Sequence, residues 1–203
     1  MMVYFDETDL LIGIIILFAI LPVVWWKKRN LSYLLFFSIF WLYLLSVVSV
    51  VVFPVFINAD YAGTFRPSIN VIPFYFGDCQ LPELCIRSII ENIILTIPFG
   101  FGVNFLVKIK PKYIFWLALA VGFMIEFSQL VISLVFRSGF RSTDVNDVIL
   151  NGTGVLVGYV SFQLFGRLYL KITEHFNFKH KLIFADIYEI ALQTQVAGRS
   201  KNA

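Results

Sequence analysis

The sequence predicts an all-α integral membrane protein of about five transmembrane helices, with its N-terminus outside and its C-terminal tail cytoplasmic. Three observations predict it. Of the 203 residues, 59% are hydrophobic and 14% charged, whereas a soluble domain averages about a quarter charged. The apolar residues fall in runs able to cross roughly 30 Å of hydrocarbon, which takes about 20 residues each. The lysines and arginines, finally, are concentrated in alternate connections.

The first run, Leu10–Trp26, is slightly short but closes on an interfacial Trp25-Trp26 pair. Asp6, Glu7 and Asp9 precede it, without a basic leader or a small-residue cleavage site, so it reads as a retained helix and not a signal peptide. Leu31–Phe56 is long enough to tilt. Ser88–Val107, Tyr113–Val135 and about Asp144–Leu170 follow. Pro98 and Gly100 are expected to break the third span. Residues 1–170 thus form one membrane domain, and 171–203 a tail. Within the tail, Ile183, Ile187 and Ile190 recur at helical spacing. An amphipathic helix on the inner membrane surface, a partner-binding helix and a frayed end all fit.

Orientation follows from the basic residues. Lys27, Lys28 and Arg29 join the first two spans, and Lys108, Lys110 and Lys112 join the third and fourth. The third group follows the fifth span, so that 12 of the 16 basic residues share one side. That side is cytoplasmic by the positive-inside rule. The formal net charge of +3 therefore records topology and does not indicate a nucleic-acid partner. On the outside, the apolar stretch from Ser68 to Phe76 is too short to span and too apolar for a free loop. An interfacial or re-entrant loop is expected there. Cys79 and Cys85 lie in the same outside segment, where a disulfide and two unpaired thiols both fit.

Ionisable groups inside spans are costly, and so are candidates for function. Asn92 lies near the start of the third span, and Glu126 and Gln129 share one face of the fourth. Asp144, Asp147, Asn151, Gly154 and Gly158 form a stripe on the fifth. At about 1.5 Å per residue, Glu126 lies roughly 14 Å below the outer end of its span. Together with Arg87, Glu91, Arg137 and Arg141, these groups are expected to converge in an outward-facing polar cavity, with nothing comparable in the inner halves. Glu126 at that depth needs either a raised pKa or a partner, for which Arg137 and Arg141 are the candidates. Simpler roles fit several positions equally. Asp144 and Asp147 suit a helix start, Arg137 and Arg141 can snorkel to head groups, and Gly154 and Gly158 suit helix packing. There is no Walker loop and no H-E-x-x-H. The two histidines, His175 and His180, lie in the tail, which excludes a Ser-His-Asp triad at an outward site.

Four blocks carry a family resemblance. Asn70-Val71-Ile72-Pro73-Phe74 matches N-x-I-P-F, and Asn92 to Gly100 matches N-x-x-L-F-x-P-F-G with Thr96 in place of the aromatic. Glu126 and Gln129 match E-x-x-Q. Arg141, Asp144, Asp147, Asn151 and Gly154 match R-x-x-D-x-x-D-x-x-x-N-x-x-G. In this order, over roughly residues 30 to 170, the chain resembles the VanZ-like family of bacterial membrane proteins, associated with reduced teicoplanin susceptibility. The resemblance implies a multi-pass protein of the bacterial plasma membrane that lowers lipoglycopeptide action. The arginines suit the carboxylate or phosphate of a lipid-linked envelope precursor. A rival reading is a membrane enzyme acting on a lipid head group, with Glu126, Asp144 and Asp147 holding Mg²⁺ or Mn²⁺ or Glu126 as general acid or base. A small transporter is disfavoured by the lack of an internal repeat.

Overall fold

The computed structural model describes residues 1–57, 65–76, 81–137, 142–176 and 182–199. Five helices are long and apolar enough to cross a membrane, and the chain is a multi-pass membrane protein. Helix α1, Glu7–Lys28, begins where Asp6 and Asp9 form a reciprocal capping box. Lys27 and Lys28 close its last turn, where cations favour the negative end of the helix dipole. Helix α2, Leu31–Val51, starts on Asn30, whose Oδ1 accepts from the Tyr33 amide at 2.9 Å. It ends before the expected Phe56 because Pro54 disfavours helical backbone at the residue ahead of it. Beyond the helix, strand β2 (Val55–Phe56) pairs antiparallel with β1 (Met2–Val3), which joins the N-terminus to the end of α2.

Helix α3, Pro82–Gly102, starts earlier than expected with Pro82 in its first turn, where a missing amide hydrogen costs nothing. It does not break at Pro98 and Gly100; it runs through both into a 3₁₀ turn, Val103–Phe105. Its neighbours explain the difference. Tyr43 of α2 donates to the Leu95 carbonyl at 2.8 Å, and Gly100 lies directly against the Val155 carbonyl. Such packing tolerates proline inside a membrane helix. Helix α4, Ile114–Phe136, follows a 3₁₀ turn at Pro111–Tyr113. Helix α5, Val145–Phe176, is the longest and most buried of the helices.

Helix α5 is the axis of the bundle. Helix α3 runs parallel to it: Gly154 meets Ile93 and Gly158 meets Ile97. Helix α4 runs antiparallel: Gly122 meets Val148, and Gly152 meets Ala118. At Gly100, Gly122, Gly154 and Gly158, a β-carbon would overlap backbone of the facing helix. Lipid provides no hydrophobic force between helices, so close backbone approach is a main source of their cohesion. Further along, Phe101 and Phe105 each pack edge to face against Phe162, which is only 1% exposed.

The tail forms helix α6, Ile183–Arg199. One face of it is docked on the bundle, while Phe184 and Leu192 stay exposed. Ala191 lies against Gly166 of α5, Gln195 Nε2 donates to the Gln163 carbonyl at 3.2 Å, and Asn30 Nδ2 donates to Asp186 at 3.1 Å. The connections α1–α2 and α3–α4 meet α6 at one end of the bundle, where Lys28, Lys108 and Lys110 line the same pocket.

Candidate functional site

The opposite end is organised by the start of α5. Strand β3 (Ile69–Asn70) pairs parallel with β4 (Thr143–Asp144), so that the apolar loop lies beside the first turn of the helix. Asp144 precedes that turn, and its Oδ1 accepts from the Asn146 amide at 2.8 Å. This is N-capping, the simpler of the two roles the residue type suits. The same oxygen accepts from Asn70 Nδ2 at 2.9 Å, across 74 residues of sequence. Asn146, 2% exposed, secures the loop further: its Oδ1 accepts from the Phe74 amide at 2.6 Å and its Nδ2 donates to the Tyr75 carbonyl at 2.7 Å. Phe74 has a φ of 63°, a left-handed conformation that costs a bulky residue energy and persists only when neighbours over-determine it. The segment is therefore a turn pinned to the start of α5. Phe74 itself is 76% exposed.

Asp144→Ala is expected to lower stability by about 1–2 kcal/mol through the lost cap. It should also raise hydrogen exchange at residues 69–75, while Asp144→Asn, which still caps and accepts, should fall much less. Equal exchange in both variants would show that Asp144 does not hold the loop.

Below the cap, Glu126 of α4 is 2% exposed, and its Oε2 accepts from the Asp144 amide at 2.9 Å. From α3, Asn92 Nδ2 donates to Asp147 Oδ1 at 2.7 Å. One turn deeper, Asn151 is fully buried, and neither its Nδ2 nor its Oδ1 has a hydrogen-bond partner among the described residues. On a helical wheel it falls between Gly154 and Gly158, which face α3, and Val148 and Gly152, which face α4. Its side chain therefore points at the seam of the three helices. Thr96, 1% exposed, donates to the Asn151 carbonyl at 2.6 Å and uses space that Gly154 leaves free. The departure from an aromatic at Thr96 is thus absorbed by a hydrogen bond.

The structure gathers Asn92, Glu126, Asp144, Asp147 and Asn151 around the start of α5, with Glu126 bonded to Asp144, Asn92 bonded to Asp147, and the Asn151 amide outside both pairs. Gln129, half-buried, makes no hydrogen bond among the described residues. Arg137 ends α4 as an exposed left-handed cap (φ 50°). Eleven residues, about 16 Å of helix axis, separate it from Glu126. Arg141 and Cys79 lie outside the described residues; Cys85 is disulfide-bonded. Arg87 and Glu91 stay out of the cluster, paired with each other at 2.6 Å on an exposed face of α3. Among the described residues no three carboxylate, histidine or cysteine groups assemble as a metal site. Glu126, Asp144 and Asp147 each face a different donor.

Sequence reasoning missed Asn70 and Asn146 as site residues. Asn70 stands in the N-x-I-P-F block, the one signal that marked it; Asn146 is an ordinary position between two aspartates. It also missed the other end of the bundle, where the expectation of nothing comparable is overturned by buried Asn104 and a pocket of about 440 Å³.

The family model VanZ/LLP1 matches residues 40–166, from α2 to well into α5. The chain belongs to this family. It is also 32% identical over 129 residues to Protein VanZ of Enterococcus faecium, covering 62% of this chain and 70% of that one. No solved structure matches it. Glu126, Asp144, Asp147 and Asn151, which complete the polar cluster with Asn92, all lie inside the matched region.

Proposed function

We propose that this chain is a plasma-membrane accessory protein that lowers the action of teicoplanin-type lipoglycopeptides by engaging a cell-surface ligand at the polar cluster. The observation that carries the reading is Asn151, a fully buried amide without a hydrogen-bond partner among the described residues. Leaving such a group unpaired costs about 1–3 kcal/mol, and a site that binds a polar ligand group accounts for retaining it. The basic residues favour placing the cluster outside: Lys28, Lys108 and Lys110 gather at the far end, which the positive-inside rule assigns to the cytoplasm. Arg137, at the cluster's end of α4, and Arg141, three residues ahead of Asp144, have the fork geometry for a carboxylate or phosphate. A lipid-linked envelope precursor carries such groups.

The test compares wild type, Glu126→Gln, Asp147→Asn and Arg87→Ala in a sensitive Gram-positive host at matched membrane levels. Glu126→Gln keeps an oxygen for the Asp144 amide and removes the charge. The expected result is a rise in the inhibitory concentration of teicoplanin over that of vancomycin with wild type and Arg87→Ala, lost in both cluster variants. No rise with well-expressed wild type would sink the proposal.

A further inference from the structure

At the end opposite the polar cluster, three segments distant in sequence enclose a half-open pocket of about 440 Å³, within the size range of small-ligand sites. The start of α2, the α3–α4 connection and one face of α6 form its walls. Lys28, Lys108 and Lys110 line it and are exposed at its mouth. Phe36, Phe105 and Tyr159 form an aromatic wall. Ser32 also lines it, 5% exposed, with a hydroxyl that makes no hydrogen bond among the described residues. Two carboxylates, Asp186 and Glu189, share the lining against three ammonium groups, and Asp186 also accepts from Asn30 at 3.1 Å, which holds it on the α2 side.

We propose that this pocket binds the phosphate-bearing head group of an anionic phospholipid drawn from the surrounding leaflet. Its lining is divided as an amphiphile is. Ammonium groups act as point charges for phosphate, and basic pockets between membrane helices bind lipid head groups. The buried Ser32 hydroxyl supplies a short donor behind them. Phe36 and Phe105 continue from the charged mouth into the helical part of the bundle and cover the first carbons of the acyl chains. The volume admits a head group and those carbons, not a whole lipid. Because α6 forms one wall, a bound lipid joins the tail helix to α2 and the α3–α4 connection.

The experiment is native mass spectrometry of the full chain, released from neutral phosphatidylcholine bilayers doped with phosphatidylglycerol. The variants are Lys108→Gln/Lys110→Gln and Gln193→Trp, the latter filling the mouth from the exposed face of α6 with the lysines intact. Wild type is expected to retain one phosphatidylglycerol in preference to phosphatidylcholine. At about a factor of five per lysine near a lipid phosphate, the double variant should lose about 25-fold. Gln193→Trp should lose retention as well, with helical circular dichroism unchanged in both. Retention unaltered by either variant would overturn the proposal, since the lysines would then act only as general surface charge. Uptake of inorganic phosphate without retained phosphatidylglycerol would overturn the lipid source.

Discussion

Gly154→Val is expected to leave little folded protein in the membrane. A β-carbon at Gly154 overlaps both the Ile93 carbonyl and the Thr96 hydroxyl. The first is backbone of α3 and cannot rotate away; the second is committed to Asn151 at 2.6 Å. Relief therefore requires α3 and α5 to separate along the seam that Gly100 and Gly158 also close. Inserting bulk into a packed core costs about 1–3 kcal/mol and occasionally more, and a backbone clash between two central helices belongs at the upper end. Loss of the hydrogen bonds of Thr96 and of Asn92 to Asp147 would add to it. Gly166→Ala is the matched control, because its β-carbon would meet Ala191 at an ordinary 3.5 Å. Size-exclusion profiles after graded heating in detergent separate the two. A Gly154→Val profile matching wild type would show that α3 and α5 do not depend on this contact.

Asn151→Leu is expected to abolish the teicoplanin effect while holding or raising the thermal midpoint. Leucine has the same branched four-atom skeleton as asparagine, so the seam stays filled. The substitution removes an unpartnered buried amide, whose desolvation costs about 1–3 kcal/mol. The local helix loses nothing, because the Thr96 hydroxyl bonds the Asn151 carbonyl and not its side chain. Stability and function thus move in opposite directions, as at sites whose groups are kept for a ligand. A variant that retained the teicoplanin effect would remove Asn151 from the site. A variant that lost stability and function together would make the amide structural.

These two positions mark what could and could not be read from the chain. Asn151 was legible as a candidate because a polar residue in an apolar run stands out by composition alone. That its amide lacks a partner was not legible, since that depends on what α3 and α4 present to one face of α5. Gly154 read as one half of a small-residue pair, without indicating which helix it meets. Asp144 suited both a cap and a ligand role, and only the bond from Asn70, 74 residues away, added loop docking to the cap. Arg87 and Glu91 read as members of the cluster because they lie at the same depth; depth is set by position along a helix, but the direction a side chain faces is set by rotation.

The sequence by itself determined the membrane class, the five apolar spans and the gathering of basic residues in alternate connections. Each of these follows from the local balance between side chains and hydrocarbon, which runs of about 20 residues suffice to decide. Only the tertiary structure decided that α3 continues through Pro98, that the apolar loop is pinned to α5, and that α6 docks on the bundle to complete a second pocket. Those outcomes depend on contacts between distant segments, where a single glycine or asparagine sets how closely two helices approach and which polar groups find partners.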